Sequence, residues 1–149
     1  MSHRAAYDSV WSNIDISEHS ASFIDSIPFH RMKSLHQLGV TQYIYNSATH
    51  NRWQHSIGVY NLAREQMDIL RNRCPELLSS NSEWVNHTEM VGIAGLTHDL
   101  GHGPFSHLFE DILHSIGIND FSHEEMTCKI IKYIVDNYNV DIDYIDINH

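Results

Sequence analysis

Apolar residues recur at helical spacing through most of the chain. In "SFIDSIPFHRMKSLHQLG" (22–39) they run up to Gly39, which fits a helix C-cap. The next stretch, "TQYIY", is β-branched and aromatic and predicts a short extended segment, with "NSATHN" as a polar turn. "RWQHSIGVYNLAREQMDILRNR" sets His55, Val59, Leu62, Met67, Ile69 and Leu70 on an amphipathic helix that ends near Pro75. "NSEWVNHTEMVGIAGLTHDLG" begins with N-cap residues and becomes almost wholly apolar at "MVGIAGL", the mark of a buried central helix. "FSHLFEDILHSIG" predicts a helix closed by glycine, and "SHEEMTCKIIKYIVDNYN" opens with a capping box from Ser122 to Glu125. The pattern is that of an all-α domain, a helical bundle with at most a short extended segment.

No repeat, low-complexity tract or Pro/Ser-rich linker divides the 149 residues, so one domain is expected over 1–149. Its core is expected at about 23–138, with an acidic tail over 139–149. Cys74 and Cys128 lie far apart with no CxxC spacing, which supplies neither a disulfide framework nor a thiolate metal site. The start, "MSHRAAYDSVWSNID", is too polar for a signal peptide, and no apolar run approaches the ~20 residues of a membrane span. These features predict a soluble intracellular protein, of cytoplasm or nucleus, with no membrane partner. A formal charge of −10 lacks the basic footprint of a nucleic-acid binder, so nucleic acid is not the expected partner. Phosphates, if handled, need local cations and not the overall field.

The chemistry concentrates in "LTHDLGHGPFSH" (96–107), where three histidines and an aspartate share a stretch with two glycines and a proline. Neighbouring positions on a helix point about 100° apart, so one ion lying between them is within reach of both His98 and Asp99. Imidazole with carboxylate suits iron, zinc or manganese better than calcium. Gly101, Gly103 and Pro104 are expected to bend the chain and return His102 and His107 to the same mouth. A helix end dressed with hydrogen-bonding groups would show the same His-Asp pair, so further ligands must come from elsewhere. His55 is the candidate for the third, on the apolar side of its helix. Arg52, three positions earlier, shares its face and carries the fork that pairs with phosphoryl oxygens. His123 follows a serine cap, at a helix start that favours anions.

In order, "HNRWQHSIGV", "GLTHDLGHGPFSH" and "SHEE" resemble the HD-domain phosphohydrolases, and specifically their deoxynucleoside triphosphate triphosphohydrolase branch. The likeness covers roughly Phe23 to Glu125. It implies an all-helical fold and a divalent metal ion (Fe, Mn, Zn or Mg) held by His55, His98 and Asp99. It implies hydrolysis of dNTPs to deoxynucleoside and tripolyphosphate, with Arg52 contacting phosphate and His102 and His123 at the scissile phosphate. Gln37 and Leu38 match residues beside the deoxyribose, and His107 matches a supporting position at the substrate. The nucleotide substrate is the partner so implied, and assembly with further copies of the chain stays open.

Two departures from that pattern stand out. The family's last metal ligand is an aspartate on a helix further downstream. Asp136, Asp141, Asp143 and Asp146 follow here, but none sits in a matching motif. Lys33 stands where nucleotide-regulated relatives tend to carry an arginine, and lysine cannot reproduce an arginine fork. Two other readings therefore remain: the same metal chemistry on a nucleoside monophosphate or cyclic nucleotide, or a nucleotide- or partner-binding module without turnover.

Overall fold

Five of the six α-helices among the described residues start in the same way, with a small polar residue whose side chain accepts from an amide of the first turn. In the computed structural model, which describes residues 4–138 and 140, Ser17 caps α1 (Glu18–Ile24), and Ser26 caps α2 (Ile27–Arg31). Asn51 caps α3 (Arg52–Arg73) in a full capping box, with Gln54 reaching back to the Asn51 amide. Ser80 caps α4 (Asn81–Thr97), and Ser122 caps α6 (His123–Asn137), accepting from the amides of Glu124 and Glu125. The exception is α5 (His107–Ser115), whose flanking Ser106 makes no cap bond.

The stretch expected as one helix over 22–39 is broken. Ser26 with Pro28 behind it starts a new helix, and the chain then tightens into a 3₁₀ turn over Met32–Ser34. "TQYIY" is not extended; Gly39–Tyr43 forms another 3₁₀ turn, with Gly39 at φ +55°. β-propensity without a partner strand does not make a strand. The two strands that do form, β1 (Arg4–Asp8) and β2 (Ser12–Ile16), pair as an antiparallel hairpin with Ala6 opposite Ile14.

The antiparallel pair α3 and α4 forms the centre. Ile57 and Tyr60 pack with Ile93 and Leu96 in a core that also takes Phe23, Phe29, Met32, Leu100 and Ile134. A side chain at Gly95 would press on Val59 and Ala63, so glycine there lets the two helices approach. Ile14 and Ile16 of the hairpin join the same core, as does Val140. The rest of the expected acidic tail lies outside the described residues. The buried stripe of α3 is Arg52, Ser56, Ile57 and Tyr60, while Leu62, Ile69 and Leu70 stay exposed. No helix among the described residues is long and apolar enough to cross a membrane.

Candidate metal centre

Asp99 lies in the turn just beyond α4, between Leu96 and Leu100 in the chain, both fully enclosed. Apolar walls fix the backbone there, and the carboxylate has to find its partners inside. One oxygen, Oδ2, accepts from Arg52 Nη1 and faces His55 Nε2 at 3.6 Å. The other, Oδ1, faces His98 Nε2 at 3.3 Å and His102 Nε2 at 3.4 Å. The side chains of Arg52 and Asp99 are only 5% and 8% exposed. Burial pushes the Asp99 carboxyl up, but the hydrogen bond from His102 and the charges of His98 and Arg52 outweigh it. The group is held well below the usual carboxylate range.

His55 does not point fully into the helix packing, as its place beside Val59 had suggested; it lies at the rim, about a third exposed. Burial lowers its pKa, against the opposing pull of Asp99, and His98 and Arg52 lower it further. The neutral ring is therefore favoured, which is the form that binds metal. His98 Nδ1 donates to the Gly95 carbonyl at 2.7 Å, and its Nε2 faces Asp99 Oδ1 at 3.3 Å. In the neutral ring that Nε2 carries the lone pair, the form in which it can ligate a metal ion. Donor atoms of His55, His98 and Asp99 all lie within 4.8 Å of one another. Two imidazoles and a carboxylate on rigid helices thus fit a divalent transition ion by donor type and by spacing.

The turn around Asp99 is held by side chains of α2 and α6. Arg31 donates to the carbonyls of Leu100 at 2.5 Å and His102 at 2.9 Å. Gly101 donates to Thr127 Oγ1 at 2.8 Å, and Thr127 Oγ1 donates to the His98 carbonyl at 3.2 Å. A Cβ on Gly101 would lie 1.9 Å from the His123 carbonyl oxygen, so glycine is required here for close approach of α6. Gly103 is restricted likewise by the Phe109 ring. The bend itself is carried by Phe105 and Ser106, at φ +65° and +59°, a costly region for residues with a side chain. Ser106, free of capping, accepts from Arg52 Nη2 instead.

That turn gathers the remaining histidines. His102 stacks on His123 with centroids 4.1 Å apart, and His107 meets both edge-on at 4.9 and 5.0 Å. His123 Nδ1 lies 2.8 Å from Glu110 Oε2, and its Nε2 lies 3.3 Å from Glu124 Oε1. Gln37 and Leu38 occupy the turn before Gly39. The Gln37 amide donates to the His50 carbonyl and the Arg52 amide to the Leu35 carbonyl, which ties that turn to the start of α3. Gln37 Oε1 is buried with no partner among the described residues. Its chain neighbours Leu35, His36 and Gly39 line a cavity of about 250 Å³ together with Tyr43, Pro104 and Phe105.

Arg31, Ser106 and Glu110 were not singled out from the sequence. Glu110 carries the clearest signal, because it follows His107 at the i+3 spacing that puts both on one helix face. Arg31 and Ser106 act through long-range bonds that no local pattern announces.

The HD domain family model matches residues 52–146 of this chain. The deoxynucleoside triphosphate triphosphohydrolase SAMHD1 homolog of Dictyostelium discoideum is 38% identical over 135 residues, covering 90% of this chain and 26% of that protein. Deoxynucleoside triphosphate triphosphohydrolase SAMHD1 of Danio rerio is 35% identical over 131 residues, covering 87% and 20%. The Homo sapiens protein of the same name is 33% identical over 132 residues, again covering 87% and 20%. The chain thus spans a fifth to a quarter of the length of these relatives.

Proposed function

The chain belongs to the HD domain family of phosphohydrolases, and on that premise we propose that it hydrolyses dNTPs to deoxynucleoside and tripolyphosphate with the help of one divalent ion. The observation that carries the reading is the convergence of Arg52, His55, His98 and His102 on the two oxygens of buried Asp99. The names of the relatives supply the substrate class.

His55, His98 and Asp99 hold the ion, which is iron, manganese, zinc or magnesium. Three protein donors leave part of the coordination sphere open, as a catalytic site needs. When bound, the ion supplies Lewis-acid polarisation of a phosphoryl oxygen. Arg52 neutralises charge on the phosphate; its Nε is buried without a partner among the described residues, while its two terminal nitrogens are fixed by Asp99 and Ser106. His102 and His123 handle protons at the scissile bond. Glu110 holds the His123 ring through Nδ1, so Nε2, which faces the exposed Glu124, is the nitrogen that gives a proton to the leaving oxygen. His107 supports the substrate from the edge of that pair. Gln37 Oε1, an acceptor in need of a donor, takes a sugar hydroxyl, and Leu38 packs on the deoxyribose. The whole chain, 1–149, acts as one domain.

A second reading, a nucleotide-binding module without turnover, is favoured by one fact. Asp136 of α6 is exposed, and Asp141, Asp143 and Asp146 lie outside the described residues, so no fourth carboxylate joins the site among the described residues. Product analysis by anion exchange, with each dNTP and Mn²⁺, separates the readings. Deoxynucleoside with intact tripolyphosphate supports the dNTP reading. Hydrolysis of monophosphates or cyclic nucleotides alone moves the substrate. Ligand-induced stabilisation of a folded chain without any product supports the binding module.

A further inference from the structure

Ser17, Ser26, Ser80 and Ser122 each turn a hydroxyl to an amide of the helix they precede. Ser106 stands at the same place before α5 and makes no such bond; its Oγ accepts from Arg52 Nη2, 54 positions back in the chain. Its backbone departs as well. At φ 59° and ψ −126° it has the angles of the first central residue of a type II′ turn, where glycine is the usual occupant. A side chain there carries a steric cost, and Phe105 beside it also has a positive φ. Glycine at 106 would relieve the strain and forfeit nothing in capping. What glycine cannot supply is the hydroxyl, so the strain points to the work that group does.

The hydroxyl acts on a buried guanidinium. Arg52 Nη1 is bonded to Asp99 Oδ2 and Nη2 to Ser106, while Nε is buried without a partner among the described residues. Asp99 by itself holds one end of the fork and lets the plane turn about that bond. A second anchor at Nη2 fixes the plane, and with it the direction of the Nε–H bond. Guanidinium donors lie in that plane, so its orientation decides whether they meet a phosphoryl oxygen. Ser106 also directly precedes His107, so the bond ties the histidine-bearing turn to the start of α3.

We propose that Ser106 is a positioning residue, whose hydroxyl locks the plane of the Arg52 guanidinium so that Nε–H is presented to the substrate phosphate. The proposal rests on the functional reading above, which places Arg52 at that phosphate. Ser106 acts through Arg52 and not on the substrate itself. The charge that Arg52 neutralises grows as the phosphorus–oxygen bond breaks, so a misaligned guanidinium costs kcat more than KM.

Two substitutions in the full chain pull strain and hydroxyl apart. Ser106→Gly removes both: its thermal midpoint is expected to be no lower than wild type, while kcat falls about tenfold or more and KM changes less than about threefold. Ser106→Thr keeps the hydroxyl and adds a β-branch at positive φ, so the midpoint should fall while kcat stays within about threefold of wild type. A purely structural serine predicts the reverse, with activity following stability. In an Arg52→Lys background there is no Nη2 to hold, and adding Ser106→Gly should cost less than about twofold further. The Arg52 Nε–H signal in ¹H–¹⁵N NMR of the metal-free chain, identified by its loss in Arg52→Lys, reads the anchoring without turnover. It is expected to be sharp and slow to exchange with solvent in wild type, and broadened or absent in Ser106→Gly. Wild-type kcat in Ser106→Gly, or an Arg52 signal equally sharp in that variant, overturns the proposal. A wild-type chain that hydrolyses no dNTP defeats the functional reading instead, and the NMR comparison still decides whether Ser106 holds Arg52.

Discussion

Asp99 and His107 stand on opposite sides of one short turn, in very different surroundings. Asp99 lies between two fully buried leucines, is bonded by Arg52, and follows a helix packed along its length on α3. His107 opens a helix with no buried residue at all, where Leu108 and Ile112 are about half exposed. Its flanking serine has left the capping role to hold Arg52. Rigidity is thus concentrated on the proposed ligand side, where ångström-level placement decides metal affinity. The side proposed to move protons is held by ring contacts, Glu110 and a strained bend.

The contrast breaks most severely at its buried end. Asp99→Ala leaves the Arg52 guanidinium buried without its counter-charge, and the loss is expected to reach about 3–5 kcal/mol. Urea unfolding of the metal-free variant should show it as a lower midpoint at unchanged slope. Next in size is Gly101→Ala. The new methyl meets the His123 carbonyl and the Thr127 amide, both backbone, so α6 has to shift. Overpacking of this kind costs about 1–3 kcal/mol, and the thermal midpoint should fall accordingly. His123 moves with the helix, so turnover should drop more than stability does.

Acid sharpens the same contrast. The folded pKa of Asp99 lies below its unfolded value, so its contribution is complete above pH ~4 and lost as pH falls through the folded value. The folded pKa of His55 is also lowered, so the unfolded chain takes up that proton first and stability begins to fall below pH ~6.5. Thermal midpoints of the metal-free chain should therefore decline with acidification in two stages. His55→Gln is expected to diminish the upper stage and leave the lower. The smallest effect belongs to α5: Ile112→Ser, on an exposed face, should change stability by no more than about 0.5 kcal/mol.

Most helices were legible because their caps and their periodicity are local signals. The hairpin was not, since "AAYDSVWSNIDI" shows little alternation and only Ile14 and Ile16 of it are deeply buried. The break at Ser26 was signalled by serine and proline in cap and first-turn positions, but the apolar period ran across it and masked it. "TQYIY" shows the opposite failure, a strand composition with nothing to pair against. Residue type and spacing singled out His55, Arg52, His98 and Asp99, and the structure brings these four side chains together. The clamp from Arg31 and the brace from Glu110 depend on how α2 and α5 dock. The glycines of the turn were expected to bend it; the structure uses Gly101 and Gly103 for close approach and puts the bend at Phe105 and Ser106.

The central claim is that His55, His98 and Asp99 form a metal centre on which hydrolysis depends. Its most direct test is a manganese titration of the metal-stripped chain, following bound metal and dNTP turnover in the same samples, beside His98→Ala. The account predicts that activity rises in step with the first equivalent bound, and that His98→Ala loses both together. Turnover in the stripped chain, or a His98→Ala variant that binds and hydrolyses like wild type, would contradict it.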